Sequence, residues 1–283
     1  MPLQISSGGR GFGAAGVGWD IPLSFVRVDD TYAHRRPQKQ PNLPIAPRSQ
    51  ITVALPGQYA EMVQQSTNLW IGRNTPTLSM RKENDVWKVF DGSGLTYVFS
   101  QQPCGGISCP GLVDLGMWLL RSIEGPGNSV VLTYDVKLVT LPGASTAATS
   151  IDLIALSYNV HSSGACSKNE IALSYDLSLP TDPPKALSVM GTRAIVRQHK
   201  LTSVNVMGRA SCGASPERLR LYTLNYLVDP DTRQDRLASV QMYGREGTDE
   251  ANVAVPVAEF TYGTATTVAP SGNHVLQYVN PQS

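Results

Sequence analysis

The chain has 283 residues, with 23 Lys and Arg against 22 Asp and Glu, so its formal net charge is only +1. Apolar residues make up 41% and charged residues 16%, against a usual charged share of about 25%. These values exclude a disordered chain and argue against a nucleic-acid binder working through a broad basic surface, and the lack of an 18-residue apolar run leaves no candidate for a membrane-spanning helix.

Residues 1–50 read as a Gly/Pro-rich opening segment and linker. Met1–Ile5 runs straight into Ser6-Ser7-Gly8-Gly9-Arg10, which is not the pattern of a secretory signal. Export by another route, or a natural start upstream of Met1, is therefore expected, with the second favoured. Pro37, Pro41, Pro44 and Pro47 mark an extended surface connection at 35–48. Strand signals follow at 51–55, 69–73, 77–81, 86–90, 95–100 and 117–124. Pro56-Gly57 precedes the best helix candidate, Gln58–Gln65, which is long enough for two turns only. Asp91-Gly92-Ser93-Gly94 predicts a hairpin between 86–90 and 95–100, and Gly125-Pro126-Gly127-Asn128 predicts a second one.

Val130, Leu132, Tyr134 and Val136 alternate with Val131, Thr133 and Asp135, the period of two of a strand. With them ends a first β half, 51–140. Residues 141–150 read as a solvent loop, and 151–263 as a second β half with strands at 151–160, 170–177, 200–207, 221–228, 235–243 and 257–262. Asp229-Pro230-Asp231-Thr232 reads as a solvated hairpin turn. Residues 264–283 show no strand pattern and read as a tail or a link to a downstream region. The tripeptide apolar-x-Tyr recurs at Tyr134, Tyr158, Tyr175, Tyr226 and Tyr262 at irregular intervals, which places each Tyr on the face of its apolar partner. The predicted class is all-β, with many short antiparallel strands in sandwich- or barrel-like sheets and few or no helices.

The search for chemistry finds little. Cys104 and Cys109 flank a short Gly-rich loop, and Cys166 and Cys212 sit among small polar residues. All four contexts look loop-like, so the pairs Cys104–Cys109 and Cys166–Cys212 are favoured as disulfides, with free thiols and a zinc site as alternatives. Gly11-Phe12-Gly13-Ala14-Ala15-Gly16 matches a dinucleotide fingerprint literally, but no buried strand precedes it and Pro22 obstructs a following helix. No nucleophile elbow, zinc-protease or phosphate-loop motif is present. Asp29-Asp30, Asp229/Asp231 and Asp249-Glu250 read as solvated turn residues, and the four His as isolated surface or strand residues. No catalytic, cofactor-binding or metal-ligating residue is predicted, and no cofactor.

The stretch Gly16-Val17-Gly18-Trp19-Asp20-Ile21-Pro22-Leu23 resembles the opening of the SpvB-like N-terminal region of insecticidal toxin-complex B components and related Rhs/YD-repeat toxins. Trp87-Lys88-Val89-Phe90-Asp91-Gly92, Tyr97, Trp118-Leu119-Leu120, Ile123 and Gly127-Asn128 are similar to the family's next segments. Arg236-Leu237-Ala238-Ser239-Val240, Pro256 and Phe260-Thr261-Tyr262-Gly263 are similar to its closing strands. The turn at Glu124–Asn128 is one residue shorter than the family's and lacks its Asp.

The resemblance implies a non-catalytic β-rich structural module of a large secreted protein. Its partners would be downstream propeller-like and Rhs-repeat regions of the same protein or complex, and toxin-complex subunits, together forming a shell around a toxic part. The Ser-Thr-Ser and Glu-x-Glu motifs of the ADP-ribosyltransferase found in some members are absent. In this reading Gly16 and Gly18 allow close backbone approach or positive φ, while Asp91-Gly92 and Gly127-Asn128 supply turns. Trp19, Trp87 and Trp118 would each bury about 150–250 Å², and Tyr262 belongs to the closing strands. The alternative is an extracellular carbohydrate- or surface-binding β-sandwich, whose sign would be exposed Trp or Tyr side chains lining a groove.

Overall fold

The computed structural model describes residues 4–5, 12–29, 50–104, 109–141, 143–144, 146–160, 166–177, 182–190, 193–230, 233–262, 266–268 and 274–276. The expected connection at 35–48, the start at Gly8–Arg10, and His34, His161, Asp30, Asp231 and Gly263 lie outside them.

Four two-residue strands open the chain: β1 (Gln4–Ile5), β2 (Phe12–Gly13), β3 (Gly16–Val17) and β4 (Trp19–Asp20). Strand β1 pairs with β4, and β2 with β3. Eight longer strands follow: β5 (Phe25–Asp29), β6 (Gln50–Leu55), β7 (Gln58–Ser66), β8 (Leu69–Gly72), β9 (Thr75–Glu83), β10 (Val86–Phe90), β11 (Thr96–Ser100) and β12 (Met117–Gly125). Each pairs antiparallel with the next. Met117, Trp118 and Leu119 then pair with Arg27, Val26 and Phe25, which closes an eight-stranded barrel. Alternation fills it: in β10, Trp87 and Val89 are buried while Val86, Lys88 and Phe90 are half-buried. Phe99, Leu78, Met80 and Val26 meet them inside at 1% exposure or less.

Strand β12 spends one edge twice. Its first half pairs with β5 and its second half, Ser122–Gly125, pairs with β13 (Asn128–Val139). A second sheet grows from that branch: β14 (Ala148–Val160), β15 (Ser167–Tyr175), β16 (Ala186–Met190), β17 (Arg193–Arg197), β18 (Leu201–Gly208), β19 (Glu217–Val228), β20 (Asp235–Tyr243) and β21 (Val255–Glu259). Its antiparallel order is β13-β14-β15-β18-β19-β20-β21. The β16–β17 hairpin attaches to β14 through a short parallel pairing at Thr149 and Ser150. A 3-10 turn at Asp249–Asn252 is the helical element among the described residues, so the chain is all-β. No helix among those residues is long and apolar enough to cross a membrane.

Turn chemistry sets the hairpins. Gly125 pairs with Asn128 across Pro126-Gly127, and Gly127 has φ +74°, the positive value that the third position of a type II turn requires. Pro56-Gly57 repeats this device, pairing Leu55 with Gln58 and setting Gly57 at φ +73°. That reversal decides the helix candidate Gln58–Gln65 against a helix: it is strand β7, with Ala60 and Met62 turned into the barrel. Strand β14 begins at Ala148, so the last three residues of 141–150 are buried strand. The expected featureless tail contains a small hairpin, β22 (Thr266–Val268) with β23 (His274–Leu276).

Three of the five recurrent tyrosines share a use. The Tyr175 hydroxyl donates to the Leu153 carbonyl at 2.8 Å, Tyr226 to Leu201 at 2.5 Å and Tyr262 to Leu237 at 2.7 Å. Each ring covers apolar neighbours while its hydroxyl satisfies a main-chain acceptor on another strand.

Candidate functional site

The most densely built site is the seat of the N-terminal β2–β3 hairpin on the second sheet. Its turn, Ala14-Ala15, is buried to 1% and 0% exposure. The Leu201 N–H donates to the Ala14 carbonyl at 2.7 Å, and the Ala15 N–H to the Trp19 carbonyl at 3.0 Å. Gly16 has φ +87°, and a Cβ there would lie 2.6 Å from the Asp235 carbonyl oxygen, so both conformation and space demand glycine. Gly18, at φ +84°, turns the chain into Trp19.

Asp20 anchors this hairpin. Its Oδ1 accepts from the N–H groups of Ala14 (2.8 Å) and Ile21 (2.9 Å) and from the Arg197 guanidinium (3.1 Å). Arg197 also donates to the Ile151 carbonyl and to Asp152 Oδ1, both at 3.3 Å, and His199 Nδ1 lies 2.8 Å from Asp152 Oδ2. Asp152 is 3% exposed. Beside this row, Lys185 pairs with Asp176 and Lys200 with Asp235, at 2.8 and 2.7 Å.

A His–Asp pair is half of a nucleophile–base–orienter set. Here, among the described residues, the His199 ring bonds to Asp152, and the neighbouring charges pair with one another. The adjacent cleft, lined by Phe12, Asp20, Leu23, Ile195 and Arg197, holds about 130 Å³, below the several hundred of a small-molecule pocket. Among the described residues no group of three or more His, Cys, Asp or Glu is placed to hold a metal. The arrangement binds chain to chain.

Residues from the N-terminal hairpin region and from the stretch after β21 meet here. The Trp19 ring lies 4.8 Å from the Phe260 ring, and Trp19 Nε1 donates to the Tyr262 hydroxyl at 3.3 Å. The Arg236 guanidinium covers the Tyr262 ring at 5.1 Å. Trp87 and Trp118 sit elsewhere, at the barrel, joined by Trp70, which sequence reasoning did not select. Trp87 meets Trp70 at 5.0 Å and Trp118 at 6.2 Å, both edge to face, and Lys82 lies over the rings of Trp87 and Trp118. Trp87 alone of the three predicted anchors is fully buried; Trp19 and Trp118 are half-buried. Edge-to-face rings interlock as packing and offer no flat platform for a sugar.

The predicted turn residues hold separate corners. Asp91 Oδ1 accepts from the Ser93 N–H and hydroxyl, and Oδ2 from the Tyr97 hydroxyl at 2.9 Å, beside Gly92 at φ +85°. Burial pushes this carboxyl up, but the hydrogen bonds from Ser93 and Tyr97 outweigh it and hold Asp91 below the usual carboxylate range. Asn128 donates to Asn159, which donates to Asn169, a ladder across three strands.

Both favoured disulfides are present, with Cα separations of 5.8 Å for Cys104–Cys109 and 5.6 Å for Cys166–Cys212. Cys109 lies outside any strand, in keeping with its loop reading, but at 1% exposure it belongs to the main apolar core. Asp229, read as a solvated turn residue, is fully buried against Arg236 at 2.5 Å. Its turn needs the carboxylate inside, where a cation meets it. His199 is likewise no isolated surface residue. Sequence reasoning passed over Asp152, Arg197, Lys200 and Asp235; one available signal was the lone charge inside Ile151-Asp152-Leu153-Ile154, which a buried strand tolerates only with a partner.

No protein-family model and no curated protein sequence matches the chain. Solved structures do. A chain in the crystal structure of TcdB2-TccC3-Cdc42 is similar over 92% of this chain at TM-score 0.60 and 15% identity, a match that covers 15% of that chain. The N-terminal domain of the effector protein SpvB from Salmonella typhimurium strain LT2 matches 86% of this chain and 93% of its own length, at TM-score 0.51 and 15% identity. The Photorhabdus luminescens Tc holotoxin pore matches 87% of this chain and 14% of its own, at TM-score 0.52 and 15% identity. The fold is the one that the resemblance implied, and this chain spans about a seventh of the TcdB2-TccC3 chain that it matches.

Proposed function

We propose that this chain is a non-catalytic, β-rich structural module of a large secreted toxin-complex-like protein, contributing to the shell that encloses or presents a toxic part. The observation that carries the reading is the fold similarity over 92% of the chain to a fraction of TcdB2-TccC3, together with that to the SpvB N-terminal domain. The chemistry of the seat supports it, because its charges and hydroxyls are engaged in holding the N-terminal hairpin to the second sheet. Two disulfides fit an oxidising, extracellular destination.

On this reading residues 1–50 lead into the module, and 264–283 lead towards propeller-like and Rhs-repeat regions, with toxin-complex subunits as further partners. Gly16, Gly18, Trp19 and Tyr262 form the lock that fixes the opening segment, while Trp87, Trp118, Asp91, Gly92, Gly127 and Asn128 shape the barrel and its branch. The test uses the full polypeptide that carries this segment. Trp19→Ala is expected to raise protease sensitivity of the enclosed part and to lower thermal stability, while His199→Gln leaves any toxic activity of the released part unchanged. A Trp19→Ala protein that protects its contents as the wild type does, beside a His199→Gln protein whose released toxic part is inactive, would refute the reading.

A further inference from the structure

Two strands end the second sheet system, and their edges differ. Among the described residues, β21 pairs only with β20 and β16 only with β17. The β21 edge carries the usual guards against pairing with another chain: Pro256 lacks an N–H, a bulge interrupts the register opposite Val240 and Gln241, and Glu259 adds a charge. The β16 edge, Ala186-Leu187-Ser188-Val189-Met190, has no proline, no charge and no register shift against β17. Leu187 is 49% and Val189 71% exposed. The flanking cations are turned elsewhere: Lys185 pairs with Asp176, and Arg193 lies 3.7 Å from Asp114.

We infer that β16 pairs with β16 of a second copy of this chain, antiparallel about a two-fold axis through Ser188. The strand is self-complementary in that register. Leu187 falls opposite the partner's Val189 and Val189 opposite the partner's Leu187, so two exposed apolar pairs meet on one face. Ala186 falls opposite the partner's Met190, and the two Ser188 residues face each other at the centre. Directly opposed branched and aliphatic side chains are the stabilising unit of such a pairing, and no like charges are brought together. Two five-residue edges bury less than the roughly 1,200 Å² at which stable specific interfaces begin. The dimer is therefore weak, with a Kd of about 10–100 μM. This inference does not rest on the shell reading.

Sedimentation equilibrium of the 283-residue chain across that concentration range tests it. The expected result is a monomer–dimer equilibrium that Val189→Lys weakens at least about tenfold, a change of about 1.4 kcal/mol, without altering the circular dichroism or melting. Val257→Lys, on the guarded β21 edge, is expected to leave it unchanged. All four native cysteines are in disulfides, so Ser188→Cys supplies a single thiol. Under mild oxidation it should link dimers far faster than Ser66→Cys, an exposed position on β7. A monomer at every concentration overturns the inference, as does a dimer indifferent to Val189→Lys or equal linking through Ser66→Cys.

Discussion

Arg197→Met is the sharpest perturbation of the seat. The guanidinium is 14% exposed and bridges Asp152, whose side chain is 4% exposed, to Asp20, which is 38% exposed. Methionine keeps the bulk and removes the charge. Breaking a buried pair by deleting one partner costs up to about 3–5 kcal/mol, because the Asp152 charge then stays buried with only the His199 ring against it. The Asp20 contact adds little, since half-exposed pairs contribute about 0–1 kcal/mol. With an unfolding entropy of about 2.1 cal/mol/K per residue, the melting temperature of this chain should fall by about 5–8 °C. Calorimetry measures that fall. Hydrogen exchange at the Leu201 amide, which donates to Ala14, reads whether the hairpin loosens locally. Adding Asp152→Asn to the Arg197→Met variant should recover about half of the loss, because the buried carboxylate that has lost its guanidinium is then gone. A fall of less than about 1 °C, or an Asp152→Asn change that only adds further damage, would refute the reasoning.

Gly16→Ala should cost about 3 kcal/mol or more, from φ +87° and a clash with the Asp235 carbonyl. Gly57→Ala, at φ +73° with nothing within 4 Å, should cost only about 1 kcal/mol; equal effects in denaturant titrations would contradict the close approach. Opening Cys166–Cys212, with 46 residues of separation, should destabilise by about 4 kcal/mol, and Cys104–Cys109, with 5, by about 2. Mass mapping during thiol titration should find the half-buried Cys166–Cys212 bond opening first, because Cys109 is shielded by the core. Burial pushes the phenols of Tyr134, Tyr175 and Tyr226 well above their ordinary range. The folded chain therefore keeps protons that the unfolded chain releases near pH 10. Stability should be fully present below about pH 10 and decline as pH rises beyond it; native tyrosines titrating with ordinary midpoints would exclude this.

Strand positions were legible where turn chemistry leaves one answer. Asp91-Gly92 and Pro126-Gly127 reverse the chain within a few residues, and β10 and β20 occupy the spans that alternation marks out, Val86–Phe90 and Asp235–Tyr243. Pro56-Gly57 misled because the pair also suits the approach to a helix, and only the pairing of Gln58 with Leu55 decides between the two. The seat was opaque for another reason. Asp20 and Arg197 are 177 residues apart, and no local pattern states which distant cation a carboxylate will meet. Barrel closure is similar, since β5 and β12 find each other across most of the first half of the chain. The resemblance helped there, because it marked Trp19 and Tyr262 as belonging to one pattern before any contact between them was visible.

The lock at Trp19 also has a place in time. Trp19 is made 243 residues before Tyr262, whose hydroxyl it meets. At about 5–20 residues per second, a ribosome needs roughly 10–50 s to make that stretch. During this interval the barrel strands, whose hairpins are local, can zip together, while the glycine-rich beginning waits with Ala14, Ala15 and Trp19 uncovered. The hairpin that is made before the barrel is thus seated after it. Premature release of nascent chains before residue 262 should yield closed barrels with a loose leading end, which makes docking of that end a checkpoint on completion of the second sheet.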